Sequence, residues 1–138
     1  MTKPFIICLI DDDDIYKYTI TRTIKTHKLA RKILMFSNGE EALEFMIDNV
    51  GNNQNLPDVI FLDINMPILD GFQFMEEYVK IKPRVGKEVT IYMVSSSVDP
   101  VDLAQAKQIS EISDYIIKPI TPEQLSAIVD TLEAEGKI

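Results

Sequence analysis

The chain holds one cysteine, one histidine, no tryptophan and only five glycines in 138 residues. Cys8 lies inside the apolar stretch Phe5–Ile10. It has no partner for an internal disulfide and is expected to be buried and reduced, which suits the cytoplasm. His27 has no spaced partners, so a zinc site has no ligand set; it is expected at the surface near the end of the first helix. Lys and Arg are scattered, and 14 of them against 22 acidic residues leave a formal net charge of −8. Nucleic acid and anionic membranes both need clustered positive charge, so neither is an expected partner. No apolar run approaches the ~20 residues of a membrane span, and no charged-then-apolar leader opens the chain. Repeats and low-complexity segments are absent, and the linker-like Gly51–Asn55 is short enough to be an internal loop. A single domain over residues 1–138 with no effector domain is the expected organisation.

What is present alternates regularly. Strand-length apolar runs, Phe5–Ile10, Lys32–Phe36, Val59–Leu62, Thr90–Val94 and Tyr115–Ile117, alternate with segments of helical period. That alternation implies βαβ units and a doubly wound α/β fold with a five-stranded parallel sheet and five helices. All but the second run are nearly continuous in apolar residues, as strands covered on both faces should be. The first helix is placed from about Ile15 to His27, held by Tyr16, Ile20 and Ile24 because its threonines are poor helix formers. Ser37 three residues before Glu40 predicts a capping box, with Leu43, Met46, Ile47 and Val50 on the buried face that follows. Phe72, Met75 and Val79 form the corresponding stripe of the third helix. Asp99-Pro100 opens a fourth helix reaching about Ile109, and Thr121-Pro122 opens a fifth with Leu125, Ile128, Val129 and Leu132 inward.

In doubly wound folds function collects at the carboxyl ends of the strands. Asp11, Asp12, Asp63, Ser95 and Lys118 all fall at such ends. Like charges held together cost free energy unless something positive sits among them. A carboxylate can also act as a nucleophile toward phosphorus, giving an aspartyl-phosphate. Such a site needs a divalent cation and a fixed positive charge around the incoming phosphoryl oxygens. Mg2+ suits an all-oxygen site completed by water and phosphate, and Mn2+ is an acceptable substitute. Asp11 and Asp12 could supply metal-binding oxygens, Asp63 the nucleophile, Ser95 a hydroxyl donor and Lys118 the fixed charge. The run Asp11-Asp12-Asp13-Asp14 leaves a choice of register, Asp11/Asp12 or Asp12/Asp13, and strand alignment favours the first. Asp13 and Asp14 then serve the start of the first helix, where the dipole favours acids.

The ordered set resembles the receiver domain of two-component response regulators. It comprises the acidic pair after the first strand, Leu62-Asp63-Ile64-Asn65-Met66-Pro67 with Asp70-Gly71, the hydroxyl of Ser95, and Lys118-Pro119. The resemblance covers nearly the whole chain. It implies a flavodoxin-like sheet of order 2-1-3-4-5. It implies that Asp63 accepts a phosphoryl group from the phosphohistidine of a sensor histidine kinase or histidine phosphotransfer protein. Asp12, Asp63 and the backbone carbonyl of Asn65 would bind Mg2+, with Asp11 orienting it. Lys118 would contact Asp63 or the phosphoryl oxygens. Ser95 would move to the phosphoryl group while Tyr115 turns inward, although ordinary core packing of Tyr115 is an equal alternative. The Lys118-Pro119 peptide would be cis. The output would be altered binding of a downstream target protein on the face of the fourth helix, fifth strand and fifth helix, with no turnover beyond loss of its own phosphate. Two departures stand out: Ser95 where threonine is commoner, and Ile109–Asp114 where small residues are usual.

Other classes fit less well. A phosphohydrolase of the haloacid dehalogenase type would need a second acid two residues after its nucleophile, and that position is Asn65. A flavodoxin-like cofactor binder would have to cradle phosphate in a loop that carries four aspartates. A receiver-like module that no longer signals by phosphate would have no use for the intact Asp12, Asp63, Ser95 and Lys118.

Overall fold

Strand β1 (Ile6–Ile10) is buried along its whole length, and β3 (Val59–Leu62) likewise. Successive side chains of a strand point to opposite faces, so an all-apolar strand needs a covering layer on each side. The layers are five helices. The computed structural model describes residues 4–136, in the order β1, α1 (Asp14–Thr26), β2 (Lys32–Phe36), α2 (Gly39–Asp48), β3, α3 (Gly71–Val85), β4 (Thr90–Ser95), α4 (Pro100–Lys107), β5 (Ile112–Ile117) and α5 (Pro122–Ala134). The five strands form one sheet, β2-β1-β3-β4-β5, with every pairing parallel.

The pleat divides the apolar residues into two cores. Ile7 and Leu9 join Val59 and Phe61 beneath Ile20 and Ile24 of α1 and Leu125, Val129 and Leu132 of α5. Cys8 and Ile10 join Ile60 and Leu62 beneath Ala42 and Met46 of α2, Phe74, Met75 and Tyr78 of α3, and Ala106 of α4. Burial pushes the Cys8 thiol well above its ordinary range, so it stays a protonated apolar filler.

Four expectations are corrected in detail. The cap of α2 is Asn38 rather than Ser37: its side chain accepts from the Glu41 N–H at 3.0 Å, while the Ser37 N–H donates to Glu41 Oε1 at 3.0 Å. Asn caps as well as Ser, and the Ser37 hydroxyl is already engaged by Lys17 Nζ at 3.0 Å. Ile47 is 43% exposed, because the Ala42–Met46 row faces the sheet and Ile47 lies round from it; Val50 is 38% exposed because α2 ends at Asp48, before reaching it. Val79 is 42% exposed for the same reason, the row Phe74, Tyr78, Ile81 and Val85 taking the core position. Strand β5 begins at Ile112 rather than Tyr115. A register shift passes over Ser113, so that Ile91 pairs with Ile112 and Tyr92 with Asp114, and this extra residue obscured the period-2 pattern. The helix starts at Asp99-Pro100 and Thr121-Pro122 stand where expected.

Gly71 sits where α3 closes against the end of β3. Its N–H donates to the Ile64 carbonyl at 2.9 Å, and an added Cβ would overlap the Asp63 carbonyl oxygen and lie 3.0 Å from Ile64 Cα. Gly71→Ala is therefore expected to destabilise by about 2–3 kcal/mol through overpacking against backbone. The measurement is the urea midpoint at constant m-value; an unshifted midpoint would refute the tight approach.

Candidate functional site

The chain leaves β1 outward to β2, then returns to β3 on the other side. This reversal opens a crevice at the carboxyl ends of β1 and β3. Two ladder-like hydrogen bonds carry the sheet one residue past each strand: Asp11 N–H donates to the Phe36 carbonyl at 3.0 Å, and Asp63 N–H to the Ile10 carbonyl at 2.9 Å. The backbone of both aspartates is thus fixed by the sheet before any side chain is placed.

Asp11, Asp12 and Asp63 each offer a carboxylate oxygen, and these oxygens lie within 4.8 Å of one another. Asp11 and Asp63 are buried and Asp12 is exposed. Asp13 stands outside the group: its side chain accepts from the Tyr16 N–H at 3.0 Å and caps α1. Asp14, in the first turn of α1, lies 3.4 Å from Lys17 Nζ. Asp11 Oδ1 accepts from the Asp13 N–H at 2.9 Å, and Asp63 Oδ1 from the Ile64 N–H at 2.8 Å. Lys118 supplies the opposing charge, its Nζ 2.7 Å from Asp11 Oδ2 and 3.7 Å from Asp63 Oδ2. The Lys118-Pro119 peptide is cis, as the resemblance implies.

The electrostatics follow from burial. Asp63, 6% exposed, has its carboxyl pushed up to about 6, first by burial and then by the Asp11 carboxylate, with Lys118 opposing. Burial raises Asp11 too, against the hydrogen bond from Lys118. A cluster that resists ionising together, built wholly of oxygen donors, has the chemistry that a hard divalent cation would satisfy.

Ser95 ends β4 and is fully buried, its hydroxyl accepting from the Ser97 N–H at 3.2 Å. Its carbonyl receives the Lys118 N–H at 2.9 Å, so Ser95 and Lys118 are neighbours across the β4–β5 rim. Tyr115, half-buried on β5, donates its hydroxyl to the Ser97 carbonyl at 2.9 Å. Ser97 Oγ in turn donates to Asp102 in the first turn of α4 at 2.7 Å. Asn65 lies exposed two residues beyond Asp63.

One member of the site is read from the sequence only as core packing. Lys118 Nζ sits 4.3 Å from the centroid of the Tyr16 ring, whose buried hydroxyl has no hydrogen-bond partner among the described residues. Burial, reinforced by Asp11, Asp63 and Asp13, raises the Tyr16 pKa. The available signal was position: the first residue of a stripe running on to Ile20 and Ile24 must lie at the carboxyl rim, beneath whatever crosses it.

A five-stranded doubly wound sheet with carboxylates and a lysine gathered at its switch point defines the receiver class of two-component signalling proteins. The family model described as the response regulator receiver domain matches residues 7–130, and the chain belongs to that family. It is 25% identical over 130 residues to a probable methanogenesis regulatory protein, FilR2, of Methanothrix harundinacea, covering 94% of this chain and 82% of that protein. It is 31% identical over 133 residues to the sensor histidine kinase CheAY of Helicobacter pylori, covering 96% of this chain but 15% of that protein. A crystal structure of a two-component response regulator from Cytophaga hutchinsonii superposes with a TM-score of 0.82 at 25% identity, covering 96% of this chain and 99% of that one. Among the described residues no helix is long and apolar enough to cross a membrane.

Proposed function

We propose that this chain is a phosphorylation-controlled switch in which Asp63 accepts a phosphoryl group from the phosphohistidine of a sensor histidine kinase or histidine phosphotransfer protein. One observation carries the reading: a buried carboxylate at a strand end stands within reach of two further carboxylates and a lysine. An ion pair needs one acid for its cation, whereas a phosphoryl-transfer site has use for three acids and a lysine together.

Asp11, Asp12 and Asp63, with the Asn65 carbonyl, would hold Mg2+ or Mn2+. When bound, the cation supplies neutralising charge for the phosphoryl oxygens. Asp63 itself is the nucleophile: one carboxylate oxygen bonds to phosphorus as the phosphorus–nitrogen bond to the donor imidazole breaks, and the imidazole leaves with that electron pair. The Ile64 N–H holds the other oxygen and so orients the attack. A pKa near 6 leaves Asp63 mostly ionised at neutral pH yet poorly solvated, which favours a nucleophile. Lys118, now on Asp11, is placed to move toward the added charge.

The response is carried by Ser95. Drawn to the phosphoryl oxygens, its hydroxyl would release the Ser97 N–H, and Ser97 holds both the Tyr115 hydroxyl and Asp102 of α4. One residue thereby couples the site to the α4-β5-α5 face, where a downstream target protein would read the change. Turnover is no part of the proposal, because Asn65 cannot exchange a catalytic proton. A donor protein is favoured by four exposed apolar side chains on the βα loops and first helical turns at this rim, Ile15, Ile68, Val98 and Val101. Ile68 also holds a left-handed φ of 69°, unusual for a β-branched residue. A segment similar to this chain inside a protein named a sensor histidine kinase supports the same partner. Burial of the lone thiol and the acidic balance favour a cytoplasmic setting.

The test is incubation with acetyl phosphate. One phosphoryl group per chain is expected by mass spectrometry with Mg2+ and none with EDTA. Absence of label with Mg2+ present would end the reading.

A further inference from the structure

Lys118 has three neighbours at its ammonium, and the proposed chemistry uses two of them. Asp11 at 2.7 Å and Asp63 at 3.7 Å attract it, and the position of a point charge on a flexible four-carbon stem depends on every group packed around it. The third neighbour is the face of the Tyr16 ring, with its centroid 4.3 Å from Nζ. An aromatic face offers a cation a favourable electrostatic seat that no water need fill. The seat is itself rigid. Tyr16 lies in the first turn of α1, its N–H held by the Asp13 cap, and one and two turns on Ile20 and Ile24 are buried in the core. Among the described residues no group hydrogen-bonds to the buried Tyr16 hydroxyl. What the site retains from this residue is the ring.

We propose that Tyr16 is a positioning residue for Lys118, its ring face fixing the ammonium between Asp11 and Asp63 so that phosphoryl acceptance at Asp63 proceeds at its full rate. This rests on the reading of Asp63 as phosphoacceptor. The ring alone is required, so Tyr16→Phe and Tyr16→Leu separate the proposal from a packing role, both variants keeping a large apolar side chain.

The experiment measures acetyl phosphate labelling with Mg2+, alongside proton NMR of the Lys118 side chain. Tyr16→Phe should label at the wild-type rate and keep the upfield ring-current displacement of the Lys118 methylene signals. Tyr16→Leu should label about fivefold more slowly and lose that displacement. Labelling of Tyr16→Leu at the wild-type rate, or of Tyr16→Phe as slowly as the Leu variant, would overturn the proposal. If the Leu variant does not fold, the wild-type spectrum decides, because Lys118 methylene signals without upfield displacement overturn it directly. A wild-type protein that takes no label removes the reading of Asp63 and this inference with it. Wild-type labelling without the Phe/Leu difference removes the inference alone.

Discussion

Asp63→Asn is expected to take up no phosphoryl group and, without divalent metal, to unfold at a higher temperature than the parent at about pH 7.5. The two effects have one origin. A carboxamide has nearly the shape of the carboxylate and can still accept the Ile64 N–H, now 2.8 Å from Oδ1, but it cannot attack phosphorus. It also carries no charge into a pocket where charge is disfavoured. The Asp63 carboxyl rises from 3.8 to about 6 on folding, chiefly by burial and then by Asp11. A carboxyl whose folded pKa is raised binds its proton more tightly in the native state. Its contribution to stability is favourable relative to the ionised form below 3.8, is lost as pH climbs toward about 6, and leaves a full deficit above that. The gap corresponds to roughly 3 kcal/mol as an upper bound. That shift already includes the attraction of Lys118, and the carboxamide NH2 must itself be buried, so the net gain should be about 1–2 kcal/mol, a rise of a few degrees in Tm for a domain of this size. Near pH 4 the parent carboxyl is largely protonated when folded, and the gain should nearly vanish. Thermal unfolding in EDTA at both pH values provides the measurement, and a variant less stable than the parent at neutral pH would refute the electrostatic account. Added Mg2+ should narrow the difference by stabilising the parent.

The parts of this molecule legible in its sequence are those dictated by one physical requirement at a time. Ile6–Ile10 and Val59–Leu62 read as buried strands because both faces are covered, and Thr121-Pro122 reads as a helix start because its cap and its ring point the same way. The order of the strands needed the family resemblance, since local pattern does not say which strand lies beside which. Where two requirements competed, the sequence misled. Ser37 and Asn38 are both good caps, and only the buried ammonium of Lys17 beside Ser37 shows which of the two side chains was already engaged. Ile47 and Val79 keep helical spacing yet lie off the row that meets the sheet, a rotation of each helix that apolar identity alone cannot fix, and Val50 lies past the end of α2. For the site, Asp11, Asp12, Asp63, Ser95 and Lys118 could all be placed at strand ends. Tyr16 could not be separated from the core stripe that continues it, because an aromatic face meeting a cation leaves the same periodic trace as one meeting a leucine.

Lys118→Ala is expected to be the most damaging of the substitutions, and its damage should fade as pH falls, beginning at a higher pH than for an ordinary lysine–carboxylate pair. Asp11 is 2% exposed and would lose an ion pair of 2.7 Å, while Asp63 would keep only the Ile64 N–H against two neighbouring carboxylates. Removing one partner of a buried pair typically costs about 3–5 kcal/mol, because the other charge is left uncompensated. Here the stranded groups can escape by binding protons, and burial has already biased Asp11 and Asp63 that way. The loss should therefore be about 2–4 kcal/mol at neutral pH in EDTA, a fall of roughly 5–15 °C in Tm. It should shrink as the pH drops below about 6, since neutral carboxyls do not need the ammonium. Mg2+ should return part of the loss by supplying charge to the same oxygens, and combining Lys118→Ala with Asp63→Asn should cost less than the sum of the two separate changes would suggest. A variant whose deficit is the same in acid and at neutral pH, and the same with and without Mg2+, would mean that Lys118 stabilises the domain through the packing of its stem and not by compensating the acidic cluster. Phosphoryl acceptance should slow on the order of a hundredfold even where Mg2+ restores the fold, because the cation neutralises one side of the incoming group and Lys118 the other.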